Sequence, residues 1–486
     1  MASCSSVWIK VRDNVRIACD VFVPSTAIGL KASVKTISTN EAAEDTCGHT
    51  RVGTVLLTTR YWRSFNIWAP DRPGHCFEGP RDKFPDEMIQ RRLAVVICDC
   101  RGTGASEGTW THMWSRDEIE DMRDIVEWII RQPWSNGRVG GTGISYEGTT
   151  AMMMGTLGHE AIRALTPRSF EYDLYRDIVA PGGVLNESFL KSWAEWNERL
   201  DSNRPPKDWG WMARIFLRGV RPVDEDKNGK TLQDIVRKRQ NPSVWDAVRE
   251  IVFRDDPYNC AGNTASLPSP SPSPSPSPSP SPSPSPSPSP SPSSVSLDSM
   301  SVMNYVDDLN LHKVPTRIWA SFMDGTTARS ALDLYEKVKS IECVTIGAWC
   351  HEGNRGASFG HDGPANPSMS TQWKDMIEFM KSKLDDEESH ANNDTNTRMI
   401  RYFTMGQEQW NTSVQWPPTG VKFVEYIFMP EGKLVNSTQY NEMDTKQQRH
   451  ETCLLCKVDA TATTGKRNRW QVCARVCKCV HVCMCV

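Results

Sequence analysis

From Pro268 to Ser293 proline and serine alternate without a break, 13 prolines among 26 residues. Every second residue then lacks a backbone N–H, so neither a helix nor a sheet ladder can form there. The segment is expected to be extended and solvated, on the order of 80 Å long in polyproline II form. Any core must therefore be built from the two flanks, either jointly or separately. Asn241 to Tyr258 reads as helix and then turn, and Thr316 to Met323 reads as a strand that continues the upstream pattern. The repeat is accordingly expected as a surface insertion within one folded unit, inside a linker spanning 257–315.

Upstream, the apolar period switches between 2 and 3.6. Val7 to Val23 alternates around Asp13-Asn14 like a hairpin, and Thr54 to Thr58 and Ala94 to Asp99 are short apolar strands. A helix is expected from about Arg116. Ser115 and Glu118 stand in the capping-box relation, and Ile119, Met122, Ile125, Val126, Ile129 and Ile130 share one face. A turn at Asn136-Gly137, a strand into Gly143 and a small-residue helix from about Tyr146 follow. Strand–helix alternation of this kind predicts an α/β fold with a parallel sheet.

The alternation stops between 171 and 256, where a polar helical stretch carries Trp193, Trp196, Trp209, Trp211 and Trp245 and reads as a cap. It resumes over 316–390 with the strand Thr316 to Met323, a helix around Ser330 to Lys339, a strand from Cys343 to Trp349 and a helix near Gln372 to Leu384. The sheet thus has a first part in 1–170 and a second part after the cap. From 396 to 452, Met399 to Met405 and Val421 to Phe428 read as strands without helices between them, predicting a separate all-β unit.

Composition narrows the function. Of the 486 residues, 56 are Lys or Arg and 59 Asp or Glu, a net charge of −3, so no positive field gathers phosphate backbones and no nucleic-acid partner is expected. The longest apolar runs are strand-sized, so no membrane partner is expected either. Lys10, Arg12 and Asp13 precede any apolar run of signal-peptide length, which predicts a cytoplasmic chain. Seven of the 16 cysteines lie in the last 34 residues. The other nine are expected to remain thiols.

Gly141-Thr142-Gly143-Ile144-Ser145-Tyr146-Glu147-Gly148 falls where a strand should turn sharply into a helix. A nucleophilic serine needs small neighbours at such a turn, because the strained backbone lifts its Oγ above the sheet edge. The glycine usual two residues after the serine is Glu147 here, with Gly148 one further on. The alternative is a glycine-rich turn with an ordinary helix-capping serine. Chain order argues against it, since a serine needs a base that is itself oriented by an acid. Asp324 follows one later strand and His351 the next, each at the carboxyl end where α/β sites assemble. Taken singly, Asp324 reads equally as a helix cap and His351 as a loop histidine.

These segments resemble the X-prolyl dipeptidyl-peptidase and cocaine-esterase-like serine hydrolases over most of Val7 to Pro418. The carriers are Gly143 to Gly148, the loop Asp99 to Gly108, Met323-Asp324-Gly325 and Gly347-Ala348-Trp349-Cys350-His351. The resemblance implies an α/β-hydrolase doubly wound sheet with a helical cap, and a triad of Ser145, Asp324 and His351. It also implies an oxyanion hole made by the Tyr146 backbone N–H and the Tyr61 hydroxyl, two donors of the kind acyl transfer needs. Without the resemblance Tyr61 is one more aromatic beside Trp62 and Phe65. Arg101 is expected to brace the site edge. Trp410 and Trp416-Pro417-Pro418 resemble the opening of the family's carboxy-terminal jelly roll, which over 396–452 would be truncated.

Residues 453–486 read as a disordered, cysteine-rich tail. The spacing of Cys453, Cys456, Cys473, Cys477, Cys479, Cys483 and Cys485 would attract Zn²⁺ or Cu⁺, but no matched pair of Cys-x2-Cys knuckles is present, so no metal site is expected. The expected activity is hydrolysis of a small ester or short peptide through an acyl-enzyme without a cofactor. For an exopeptidase, Glu171, Asp173, Glu187 and Glu195 are candidate partners of the substrate amine. The rival expectation is an inactive hydrolase-fold binding protein with a proline-rich interaction arm, an arm that could also engage an aromatic groove on a partner. The oligomeric state is left open.

Overall fold

The computed structural model describes residues 2–27, 50–67, 83–258, 295–358, 361–385, 398–421, 423–429, 433–436, 438–439 and 481–485. The Pro-Ser run lies outside the described residues, as do Cys453, Cys456, Cys473, Cys477 and Cys479.

The strands are β1 (Ala2–Lys10), β2 (Arg16–Pro24), β3 (Val52–Thr59), β4 (Phe65–Ile67), β5 (Ala94–Asp99), β6 (Ser135–Ile144), β7 (Ile162–Arg168), β8 (Leu217–Val220), β9 (Thr316–Ser321), β10 (Ile341–Gly347), β11 (Arg355–Ser358), β12 (His361–Pro364), β13 (Met399–Thr404) and β14 (Gln409–Ser413). Ten of them form one sheet in the order β1-β2-β5-β3-β6-β7-β9-β10-β13-β14. Its middle, from β5 to β13, is parallel throughout, while β1–β2, β2–β5 and β13–β14 are antiparallel. β4 with β8 and β11 with β12 make two small accessory pairs.

Both faces of the sheet are covered, so its strands are apolar at odd and even positions alike. Val55 and Leu57 of β3, with Val95 and Ile97 of β5, face the core made by α1 (Lys83–Gln90) and the helix Met369–Leu384. Leu56, Val96 and Cys98 face the other way, towards α2 (Arg116–Ile130) and α3 (Tyr146–Met154). The predicted α2 face is buried at Ile119, Met122, Ile125, Val126 and Ile129. Ser115 caps α2 by accepting from the Glu118 N–H, but Glu118 does not close a capping box: its carboxylate is drawn instead to the Tyr146 hydroxyl.

The stretch expected as a cap holds a π-helical turn at Tyr175–Val179, then α4 (Glu187–Asp201) and the helices Gly210–Phe216, Lys230–Lys238 and Val244–Val248. Where the chain leaves the cap and returns, Pro257 bridges Ser296 and the Tyr258 N–H donates to the Val295 carbonyl at 2.7 Å. The two ends of the proline-rich excursion therefore meet.

Three expectations need correction. Met399–Thr404 does not open a separate β unit: it is β13, parallel to β10, with Cys343 opposite Met399. An amphipathic strand has the same alternation whether it founds a new sheet or extends an old one, and β10 still had an edge to pair. The tail, expected to be disordered, contributes the strand His481–Cys485, which pairs with Phe423–Met429 and, through it, with Lys433–Asn436 in a three-stranded sheet. Cys4, expected as a thiol, is disulfide-bonded, a pairing that sequence spacing does not betray; Cys19, Cys98, Cys100, Cys343 and Cys350 are buried free thiols. Among the described residues no helix is long and apolar enough to cross a membrane.

Candidate active site

Ser145 follows β6 and precedes the first residue of α3, with φ 64° and ψ −127°. A residue with a Cβ adopts that backbone only when its surroundings impose it. They do so by close packing: a Cβ on Gly143 would come within 2.5 Å of the Glu147 backbone, and one on Gly148 within 2.5 Å of the Arg168 carbonyl oxygen. The Ser145 N–H donates to that same Arg168 carbonyl at 3.0 Å. The serine side chain makes no capping hydrogen bond to α3, which removes the helix-cap reading.

Glu147, the departure from the usual elbow, is buried and accepts from the Thr59 hydroxyl at 2.6 Å. The Thr59 oxygen in turn accepts from the Tyr61 N–H at 2.9 Å. The unexpected carboxylate thus joins the elbow to the loop that carries Tyr61.

Asp324 and His351 come from the loops after β9 and β10, adjacent parallel strands two and three places from β6 in the sheet. Asp324 is fully buried, and its two oxygens lie 2.8 and 3.0 Å from His351 Nδ1. That contact fixes the imidazole through Nδ1 and turns Nε2 outward, the arrangement a serine's general base requires. The two loops are tied by Ser321 Oγ, which donates to the Trp349 carbonyl at 2.6 Å and accepts from the Trp349 and Met323 N–H groups. Arg168, buried at the end of β7, donates to the Glu352 carbonyl beside His351 and to Gln372 Oε1. Burial lowers its pKa to about 10, partly offset by the field of Asp324, so it stays a cation at neutral pH.

Tyr61 is part of an arginine-flanked loop. Arg60 is buried over the Trp110 ring at 3.8 Å and pairs with Asp201 of α4 at 3.1 Å. Arg63, also buried, pairs with Asp20 at 3.0 Å and with Asp99 at 2.7 Å, and Asp99 holds the next loop by accepting from the Ala105 N–H. The Tyr61 hydroxyl accepts from Trp193 Nε1 of α4 at 2.9 Å. Tyr146 is the first residue of α3, so its backbone N–H falls outside the helix ladder. Its hydroxyl donates to Glu118 at 2.7 Å, and burial raises the Glu118 pKa to about 7.

Ser145, Tyr61, Tyr146 and Glu171 line one pocket, together with apolar walls that include Met113, Trp114, Phe189, Leu190 and Trp193. Its volume is small, about 20 Å³, and Ser145 is buried beside it. Of the four cap carboxylates, only Glu171 is in this lining; Asp173 pairs with Arg254, Glu187 with Lys191 and Glu195 with Lys207. Arg101, after β5, ties its loop to α2 and to the turn between β1 and β2, donating to Asp121 at 2.7 Å and to Asp13 at 3.1 Å. Trp193, one of the tryptophans expected in the cap, lines the pocket, whereas sequence reasoning missed Thr59, Arg60, Arg63 and Arg168. Two arginines flanking an aromatic pair directly after an apolar strand were the available signal.

The model of the X-Pro dipeptidyl-peptidase (S15) family matches residues 13–257. A Mycobacterium bovis protein that carries a provisional serine-esterase name is 29% identical over 96% of this chain and 68% of its own length. Cocaine esterase of Rhodococcus is 31% identical over 39% of this chain and 28% of its own length. Among solved structures, a CocE/NonD family hydrolase from Staphylococcus aureus superposes with a TM-score of 0.52 at 14% identity, over 87% of this chain and 58% of that one. An α-amino acid ester hydrolase superposes with a TM-score of 0.54 at 17% identity, over 89% and 62%. The chain therefore spans about six tenths of these two solved structures, and at these identities the likeness establishes the fold. With half its length matched by the family model, the chain belongs to the X-Pro dipeptidyl-peptidase (S15) family.

Proposed function

We propose that this chain hydrolyses a small ester or amide through an acyl-enzyme on Ser145. The observation that carries the reading is the buried Asp324 bonded to His351 Nδ1 on the same sheet edge as a serine held at positive φ. In this reading His351 Nε2 takes the proton from Ser145 Oγ as it attacks the carbonyl carbon, and later returns it to the leaving group. Asp324 holds the tautomer and stabilises the imidazolium. The Tyr61 hydroxyl and the Tyr146 N–H receive the negative charge that develops on the carbonyl oxygen. The aromatic and aliphatic pocket walls favour an apolar acyl group. The pairing of acid and base argues against an inactive scaffold.

Glu171 supports a second reading of the substrate. A buried carboxylate that accepts from the Thr149 hydroxyl at 3.1 Å, in a largely apolar pocket beside the nucleophile, is suited to the free amine of a dipeptide, which is the X-Pro dipeptidyl-peptidase version of the same chemistry. Treating the purified chain with a fluorophosphonate is expected to label Ser145 and no other serine. Equal labelling of a Ser145→Ala protein would refute the assignment. Turnover of acyl-ester reporters without turnover of dipeptidyl-proline reporters would decide for the esterase version.

A further inference from the structure

We infer that Trp193, on cap helix α4, is a positioning residue that aims the Tyr61 hydroxyl at the developing oxyanion; the inference rests on the oxyanion role proposed above for Tyr61. An indole nitrogen only donates, so in the 2.9 Å contact the phenolic oxygen must be the acceptor. A phenol has one proton, kept close to the ring plane by conjugation, and two in-plane directions for its hydrogen bonds. Trp193 claims one direction with its own N–H, and the Tyr61 proton is left to the other. Accepting a hydrogen bond also polarises the O–H and makes it a better donor.

The ring itself is held independently. It meets Tyr146 edge-on at 6.1 Å and Trp196 at 6.3 Å between centroids, and the Tyr61 backbone N–H is anchored to the Thr59 hydroxyl oxygen. Position therefore comes from the loop, Tyr146 and Trp196, whereas the direction of the hydroxyl comes from Trp193. α4 reaches the same loop twice more, through the Leu200 carbonyl, which accepts from Trp62 Nε1 at 3.1 Å, and through the pair of Asp201 with Arg60. Three contacts along one helix keep Trp193 in register with Tyr61. The cap then does more than shape the acyl pocket: one residue of its wall sets the geometry of transition-state stabilisation.

The test is a double-mutant cycle on full-length protein with a p-nitrophenyl ester, comparing Trp193→Phe, Tyr61→Phe and the double variant. Tyr61→Phe deletes only the hydroxyl, whereas Trp193→Phe keeps an aromatic ring but removes part of the indole bulk together with its N–H, a loss of bulk that the double cycle separates because any effect of it should be the same in both Tyr61 backgrounds. Tyr61→Phe is expected to lower kcat about 100- to 1000-fold. Trp193→Phe is expected to lower kcat by a factor of about 3 to 10, what one neutral hydrogen bond supplies, with KM within about twofold. The double variant should be no slower than Tyr61→Phe alone, because without the hydroxyl there is nothing left to aim. Inhibition by a phenylboronic acid, whose adduct on Ser145 carries the same tetrahedral oxygen, should weaken on Trp193→Phe by the same factor as kcat. Should Trp193→Phe fold poorly, Trp193→His, which keeps a ring N–H, provides the second comparison and should retain more kcat than the Phe variant. An equal loss from Trp193→Phe in both Tyr61 backgrounds, or a loss confined to KM, would overturn the inference and leave Trp193 as a pocket wall. Tyr61→Phe within threefold of wild type would instead remove the oxyanion reading itself.

Discussion

The two sides of the candidate site are held in place by different forces. On the side of the proposed oxyanion donors, the loop after β3 is fixed by charge: Arg63 between Asp20 and Asp99, and Arg60 against Asp201, all largely or wholly buried. On the side of the base, the loops after β9 and β10 are fixed mainly by neutral contacts, with Ser321 binding backbone groups from both and Gln372 donating to the Gly353 and Pro367 carbonyls. Asp324 is inaccessible, yet the His351 side chain keeps 28% of its exposure. The difference matches the work proposed for each side. Donors must already point at a charge that exists only in the transition state, so they gain from rigidity. A general base must accept a proton from one atom and hand it to another, and a ring with some freedom at Nε2 serves that better.

The comparison predicts unequal costs of disruption. Arg63→Ala strands two buried carboxylates and should destabilise the protein by about 3–5 kcal/mol. Denaturant unfolding measures this, and a cost below about 1 kcal/mol would show that charge does not hold the donor side. Glu118, under Tyr146, offers a pH-dependent version. Its pKa rises from 4.5 to about 7 on burial, so its stabilising contribution is complete below pH 4.5 and is lost as pH rises through about 7. A gap of about 2.5 at 1.36 kcal/mol per pH unit makes the loss roughly 3 kcal/mol. The stability of Glu118→Gln relative to wild type should therefore rise by that amount between pH 4.5 and 8, and unfolding curves at the two ends check it. A difference that stays flat with pH would mean that Glu118 is ionised throughout.

The smallest effect belongs to the base side. Ser321→Ala removes one hydroxyl that bridges two loops and should cost about 1 kcal/mol of stability. Its signature is kinetic: kcat should fall severalfold with KM unchanged, as Asp324 and His351 lose their common tie. A KM effect without a kcat effect would place Ser321 outside the geometry of the pair.

What the sequence made legible follows the same division. Ser145 stands directly after β6, and Asp324 and His351 lie three and four residues beyond the ends of β9 and β10, so local periodicity and chain order point to them without knowledge of distant contacts. The β6 turn was equally readable, because Gly143 and Gly148 bracket the serine. The ties of the donor side were not, since Arg63 finds Asp99 36 residues away and Arg60 finds Asp201 141 residues away. A long-range ion pair has no signature in composition or period. Glu118 shows a subtler failure: the capping-box spacing is present, but a buried tyrosine hydroxyl outcompetes a helix-end N–H for the carboxylate. Met399–Thr404 shows a third, because alternation reveals a strand and not the neighbour it will choose.

The bridge between Pro257 and Ser296 bears on how this protein can vary over generations. For the sheet, residues 257 and 296 are next-door neighbours, and β9, with the aspartate behind it, starts from a fixed point whatever is spliced between them. A two-residue repeat is a sequence that replication readily copies once too often or once too few. Placed at a closed joint, where each doubling of length costs only about 0.6 kcal/mol, such slippage is hidden from selection on the site, and the length of the arm is free to drift or to be recruited.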